Sequence, residues 1–205
     1  MLKRGTDMVS NTYYLKRNEK DFANIPEEAQ RVAEYHGLDK RSCLRMRLLA
    51  EELICMLPHL LKYGKGKFWI ENVGKKFELH LGVLIDKTSE YDVDRILSIS
   101  GDGKNAASKG IVGRLIVWME SIVGNNNSVS DDPYGVWSRG VADYDEETIW
   151  SLKNYRDAFE SEEVRKSYSE DWDELEKSIL ANLADNVTVG VAMGKIEIVI
   201  QKDFS

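Results

Sequence analysis

Three residues at intervals of four could do chemistry in this chain. They are Glu51, Cys55 and His59, in the run "LLAEELICMLPHL" over Leu48–Leu60. Four residues advance about 400° on a helix of 3.6 residues per turn, so all three lie near one helical face. A carboxylate so placed can take a proton from a nucleophile. A thiol with a histidine one turn later can itself act as nucleophile and base. The same residues also read without chemistry. Of Glu51 and its neighbour Glu52, one faces solvent and the other caps an edge, while Cys55 fills space as a small hydrophobe. Pro58 removes a backbone donor late in the run and is expected to kink it.

A second cluster lies in "GDGKNAASKGIVGRLI". Gly101, Gly103, Gly110 and Gly113 flank Lys104 and Lys109, directly before an apolar helix. A helix N-terminus offers free N–H groups to an anion. Phosphate or nucleotide binding and a plain structural loop both fit that composition. His36, His59 and His80 sit in unrelated contexts with no cysteine cluster near them, so spacing alone gives no metal set.

These residues must be positioned by the elements around them. "TYYLKR" (12–17) reads as a first strand. "IPEEAQRVAEYHG" is a helix with Pro26 at its first position, Glu27 and Glu28 in its first turn and Gly37 as its stop. A longer helix starts near Asp39 and runs through Leu44, Leu48, Leu49, Leu53, Met56 and Leu60, which define a buried stripe, and is ended by Gly64 and Gly66. "KFWIE" and "KFELHLGVLID" flank the turn "NVGK", where Gly74 supplies positive φ. Phe77, Leu79, Leu81, Val83 and Ile85 alternate with Glu78, His80, Gly82, Leu84 and Asp86, as in a sheet covered on one side. "TSEYDVDRILS" reads as a short helix before the glycine loop, and "IVGRLIVWMESIV" as a buried one. Further on, "DEETIWSLKNYRDAFES" carries Ile149, Leu152, Tyr155 and Phe159 at helical intervals. In "DWDELEKSILANLAD", Asp171 and Glu174 make a capping box, and Trp172, Leu175, Ile179 and Leu183 a stripe. The chain closes on a hairpin, with Val187, Val189 and Val191 on one arm and Ile196, Ile198 and Ile200 on the other.

At 205 residues the chain suits one domain, with 42% hydrophobic and 31% charged residues. The formal charge of −7 argues against nucleic acid as a partner. No apolar run approaches a membrane span, and the start is not a secretory signal. Cys43 and Cys55 lie too far apart on one helix to bridge, which suits reduced thiols and a cytoplasmic protein. Asp131–Glu176 holds 15 acidic and 5 basic residues, a net of −10 that leaves the remainder at +3. This marks residues 124–170 as an acidic insertion. Trp137, Trp150, Trp172, Tyr134, Tyr144, Tyr155 and Tyr168 make the acidic Asp131–Glu176 stretch aromatic enough to fold, partly as helix.

The order of strand, helix, long helix, hairpin, glycine loop, helix, insertion, helix and hairpin resembles the histidine-kinase-like ATPase (GHKL) superfamily. The nearest branch is the anti-sigma-factor serine kinases, and the likeness is carried by "FANIPEEAQRVAEYHGLDKRSCLRMRLLAEELICMLPH". It covers Phe22 to about Gly124 and returns from about Leu180. The resemblance implies a two-layer α/β sandwich, a mixed sheet with helices on one face. It makes Glu51 the general base and puts Cys55 where the family has the asparagine that holds magnesium on ATP. Magnesium wants oxygen ligands, so a thiol there departs from the pattern. Asp86 stands nearest to the adenine-reading aspartate, but "DKTSE" lacks that motif's glycines. The 101–113 loop corresponds to the phosphate loop, with the acidic insertion packed where the family's lid lies. The expected function is therefore a regulatory module acting on a protein partner, of the anti-sigma or partner-switching kind, with ATP binding weakened or lost. The alternatives are an ATP- and magnesium-dependent serine kinase or ATPase using Glu51, and a non-hydrolytic binder of another anion at Lys104 and Lys109.

Overall fold

The computed structural model describes residues 8–16, 22, 24–56, 64–85, 115, 141–144, 147–192 and 195–205. Helix α1 (Ile25–Tyr35) has Pro26 in its opening positions and Glu27 and Glu28 in its first turn, where they face the positive end of the helix dipole. It ends in a Schellman arrangement. Gly37 takes φ +72°, Gly37 N–H donates to Glu34 O at 3.0 Å and Leu38 N–H to Ala33 O at 3.1 Å. Only Leu38 and Asp39 then remain before α2 (Lys40–Cys55). Asp39 caps α2: its carboxylate accepts from Arg41 N at 2.8 Å, Ser42 N at 3.1 Å and Ser42 Oγ at 2.8 Å. The Ser42 hydroxyl, above all, holds the Asp39 carboxyl below its usual range.

The strands form one sheet of eight. Their order is β1 (Met8–Val9), β3 (Gly64–Val73), β4 (Lys76–Ile85), β8 (Lys195–Asp203), β7 (Asn186–Ala192), β6 (Glu147–Ser151) and β5 (Val141–Tyr144), with β2 (Tyr13–Leu15) also on β3. β1 and β2 share one edge of β3 and differ in register. Val9 faces Glu71 and Tyr13 faces Phe68, so the N-terminal strand takes four steps where β3 takes three. That is a β-bulge, with an extra residue on one side. Ser10 bridges it: Ser10 N–H donates to Ile70 O at 2.8 Å, and the Ser10 hydroxyl accepts from Ile70 N at 2.9 Å.

Every pairing among the described strands is antiparallel. The mixed sheet implied by the resemblance is corrected to that extent. The cause is the connections: β3–β4 turns through Gly74 and Lys75 and β7–β8 is a second hairpin, and a tight turn can only return the chain antiparallel. One face of the sheet carries the core. Phe68, Ile70, Phe77, Leu79, Leu81, Val187, Val189, Ile196, Ile198 and Ile200 are buried in the same cluster as Ile25, Ala29, Met46, Leu49 and Leu53 from the two helices. The architecture is thus α+β, an antiparallel sheet with helices packed on it.

The acidic segment is more integral to the sheet than its sequence suggests. The helical phase expected from Ile149 onward is corrected: Glu147–Ser151 is strand β6, paired to β7, and helix begins only at α3 (Leu152–Asp157). The Ser151 hydroxyl accepts from Asn154 N at 3.2 Å and sets that boundary. α4 (Glu162–Ser167) and α5 (Ser169–Lys177) follow. Asp171 lies inside the first turn of α5 and is not its cap. The single stripe expected across 172–183 is broken at Ser178, whose extended backbone ends α5 and whose hydroxyl caps α6 (Ile179–Leu183) through Ala181 N at 3.2 Å. Of the apolar helix expected after the glycine loop, Leu115 is described, helical and fully buried. The helix expected at 88–98 lies outside the described residues.

Candidate functional site

The long helix ends at Cys55, and the core side of α2 is set by Met46, Leu49, Ala50, Leu53 and Met56. A helical wheel puts Glu51 and Cys55 on the opposite side with Leu44, which is 52% exposed; the buried stripe expected through Leu44 is thus corrected, because Met46, Leu49, Ala50 and Leu53 set the core side. Glu51 is engaged there. Arg47 Nε donates to Glu51 Oε1 at 2.9 Å, and Arg47 Nη2 meets Glu27 Oε1 at 2.9 Å. The guanidinium therefore clips α2 to α1, and Glu51, first among its causes, pushes the Arg47 pKa up. The ion pair engages one oxygen of Glu51, Oε1, at a partly exposed position.

Cys55 is an exposed free thiol. Water stripped away by neighbouring atoms, then Glu52 and Glu51, push its pKa up, so it stays protonated near neutral pH and is a poor nucleophile. Glu52 is half-buried, and burial, followed by Glu51, pushes its carboxyl up. Asp86, Gly101, Gly103, Lys104, Lys109, Gly110 and Gly113 lie outside the described residues, as do Pro58 and His59.

The structure gathers a different set of polar groups on the face of the sheet away from the helices. Trp69 pairs across to His80, and Glu71 pairs across to Glu78. The His80 imidazole stacks on the Trp69 ring with centroids 4.7 Å apart and planes at 8°, and Lys67 Nζ lies 4.2 Å from the centre of the Trp69 ring. Trp69 Nε1 donates to Glu71 Oε1 at 2.8 Å, and Gln201 Nε2 donates to Glu78 Oε1 at 2.9 Å. Each of these carboxylates thus has one oxygen bound by the protein.

His80 is 8% exposed, and neither ring nitrogen has a hydrogen-bond partner among the described residues. Two carboxylates approach it at ion-pair range: Glu78 Oε2 is 3.5 Å from Nε2 and Glu197 Oε1 is 3.9 Å from Nδ1. Lys195 Nζ bonds the other oxygen of Glu197. The approach of His80 first, with Lys195 adding to it against the cost of burial, holds the Glu197 carboxyl down to about 2. At 3.9 Å the His80–Glu197 contact is longer than a hydrogen bond.

Reading spacing along the chain passes over this cluster, since Glu71 and His80 are nine residues apart with a turn between them. The signal was nevertheless available. A two-residue turn at Gly74 and Lys75 fixes which residues face each other, and Trp69 must then meet His80 while Glu71 meets Glu78. Elsewhere, a cleft of about 350 Å³ is lined by Arg156, Arg165, Trp172 and Asn182 among others. Its donors serve the chain: Arg156 bonds Ala181 O, Arg165 bonds Phe159 O, and Asn182 bonds Glu176 O. Among the described residues no helix is long and apolar enough to cross a membrane. No known family model matches the chain, and no curated protein matches it.

Proposed function

We propose that this chain is a regulatory protein-interaction module on a histidine-kinase-like ATPase scaffold, of the anti-sigma or partner-switching kind, with ATP binding weakened or lost. The carrying observation is the state of Glu51. The residue in the position of the general base is an ion-pair partner of Arg47, which also holds Glu27 on the neighbouring helix. One turn later Cys55 offers a protonated thiol where a magnesium-holding oxygen is needed. In further support, N-terminal strand, helix pair, hairpin and closing hairpin follow the order the resemblance expects, with the outer strands β6 and β5 added beyond β7.

Thermal melts and equilibrium binding with labelled ATP test this reading. The expected result is no shift in Tm and no saturable binding with ATP and magnesium at millimolar concentration. Saturable binding lost in Glu51→Ala would overturn it in favour of a kinase or ATPase. Binding without magnesium that is lost in Lys104→Ala would favour the anion-binding alternative. On the positive side, a stoichiometric protein partner should bind the native chain and release when Leu44, on the outward side of α2, becomes Asp.

A further inference from the structure

We propose that Glu71, Glu78 and His80 form a binding site for a first-row divalent transition-metal ion such as Zn2+, on the sheet face opposite the helices. One ligand atom from each residue lies within 4.8 Å of the other two. A tetrahedral ion with bonds of about 2.0–2.2 Å holds its ligands about 3.4 Å apart. The 3.5 Å between His80 Nε2 and Glu78 Oε2 is already that edge.

Three independent features point to a cation. First, His80 is nine-tenths buried and, among the described residues, neither nitrogen has a hydrogen bond, while two carboxylate oxygens stand only at ion-pair range, 3.5 and 3.9 Å. Second, Glu71 and Glu78 face each other directly across β3 and β4, and like charges in that position repel. An ion between them turns the repulsion into attraction. Third, the surrounding groups are placed as an outer shell. Trp69 and Gln201 each bind one oxygen of a carboxylate ligand and leave the second available, and Glu197 stands at Nδ1, behind the imidazole, held by Lys195. At 3.9 Å Glu197 makes no hydrogen bond to Nδ1, but a carboxylate there raises the basicity of a ligating imidazole, which makes Glu197 a positioning residue. The nitrogen donor selects the ion class. Magnesium and calcium prefer oxygen throughout, whereas one imidazole with two carboxylates suits zinc and its neighbours and leaves a coordination position for water.

The test uses the full chain stripped of metal with chelator, then titrated with Zn2+ by calorimetry and with Co2+ by visible absorption. One ion per chain is expected. Affinity should fall at least tenfold in His80→Ala and in Glu78→Gln, about 10–100-fold in Glu197→Gln, and remain unchanged in Cys55→Ser. Stability supplies a readout that survives if His80→Ala fails to fold. In chelator, Glu71→Gln should melt no lower than the native chain, because a like-charge pair has gone. With Zn2+ present, the native chain should gain Tm and Glu71→Gln should gain little. Absence of saturable Zn2+ binding at 100-fold molar excess, binding undiminished in Glu78→Gln, or calcium bound as tightly as zinc would each overturn the proposal.

Discussion

Ile179 and Leu180 are neighbours whose truncations should have opposite consequences. The 172–175–179–183 stripe puts Ile179 in the core if α5 and α6 are one helix. In the structure the backbone is extended at Ser178, so the phase restarts there: Leu180 is 0% exposed and Ile179 is 45% exposed. α6 packs against α2, so Leu180 is removed from water by the helix layer itself. Leu180→Ala should therefore cost about 2–5 kcal/mol, as truncation of a buried leucine does. At about 2–4 °C per kcal/mol for a chain of this size, Tm should fall by about 4–20 °C. Ile179→Ala removes side chain already half in water and gains helix propensity, so it should stay within about 1 kcal/mol of the native chain.

Urea unfolding followed by far-UV circular dichroism compares the two variants at one temperature, with the denaturant slopes checked for equality so that midpoints report stability. A cost for Ile179→Ala equal to or above that of Leu180→Ala refutes the break at Ser178 and restores the single stripe.

Three further outcomes follow from the geometry. Phe159 is fully buried between Tyr155 (5.3 Å, 82°) and Trp172 (5.5 Å, 48°), so Phe159→Ala should cost about 3–5 kcal/mol and shift the tryptophan-fluorescence and circular-dichroism transitions together; separation of the two transitions would show that the acidic segment unfolds on its own. Gly74 has φ +59° with open space where a Cβ would go, so Gly74→Ala should destabilise by about 1–2 kcal/mol through backbone strain alone, and urea midpoints equal to native would refute that. The raised pKa of Glu52 means that its charged form is the one folding disfavours, so its contribution is best below the unfolded value of about 4.3 and is lost as pH rises through the folded pKa. Glu52→Gln should therefore melt above the native chain at pH 7 and level with it below pH 4, and a gain that persists in acid would point to another cause.

Local chemistry made part of the fold legible in the sequence. Pro26, Gly37 and Asp39 bracket α1 and open α2 as read, and Gly74 turns β3 into β4. The alternating Val and Ile of the closing hairpin put Val187, Val189, Ile196, Ile198 and Ile200 in the core. The misreadings came where two periods share residues. "ETIWSLKNYRDAF" keeps helical spacing through Ile149 because Trp150 and Leu152, on either side of the Ser151 cap, are both buried, one on a strand and one on a helix. At Ser178 a single residue in extended conformation changes which neighbour faces inward, and no composition signal marks it. The helical site had the opposite difficulty. Its spacing was legible, but the Arg47 clip depends on how α1 packs on α2, which brings Glu27 within reach of the same guanidinium.

The two faces of the sheet explain why the site legible in the sequence and the site gathered by the structure are different places. A helix-covered face is selected for shape and carries apolar side chains at every second position, so its chemistry must come from the helix ends and loops, where Glu51 and Cys55 sit. The other face is free of that demand. Across it, register alone aligns Lys67, Gly82, Glu197 and Gly190 in one row, and Trp69, His80, Val199 and Thr188 in the next. In those rows Lys67 lies over Trp69, Trp69 lies against His80, and the imidazole lies between Glu78 and Glu197. A face needed only for solubility would present small, separately solvated charges. This one instead buries an imidazole among carboxylates, with His80 and Lys195 both stabilising the Glu197 carboxylate.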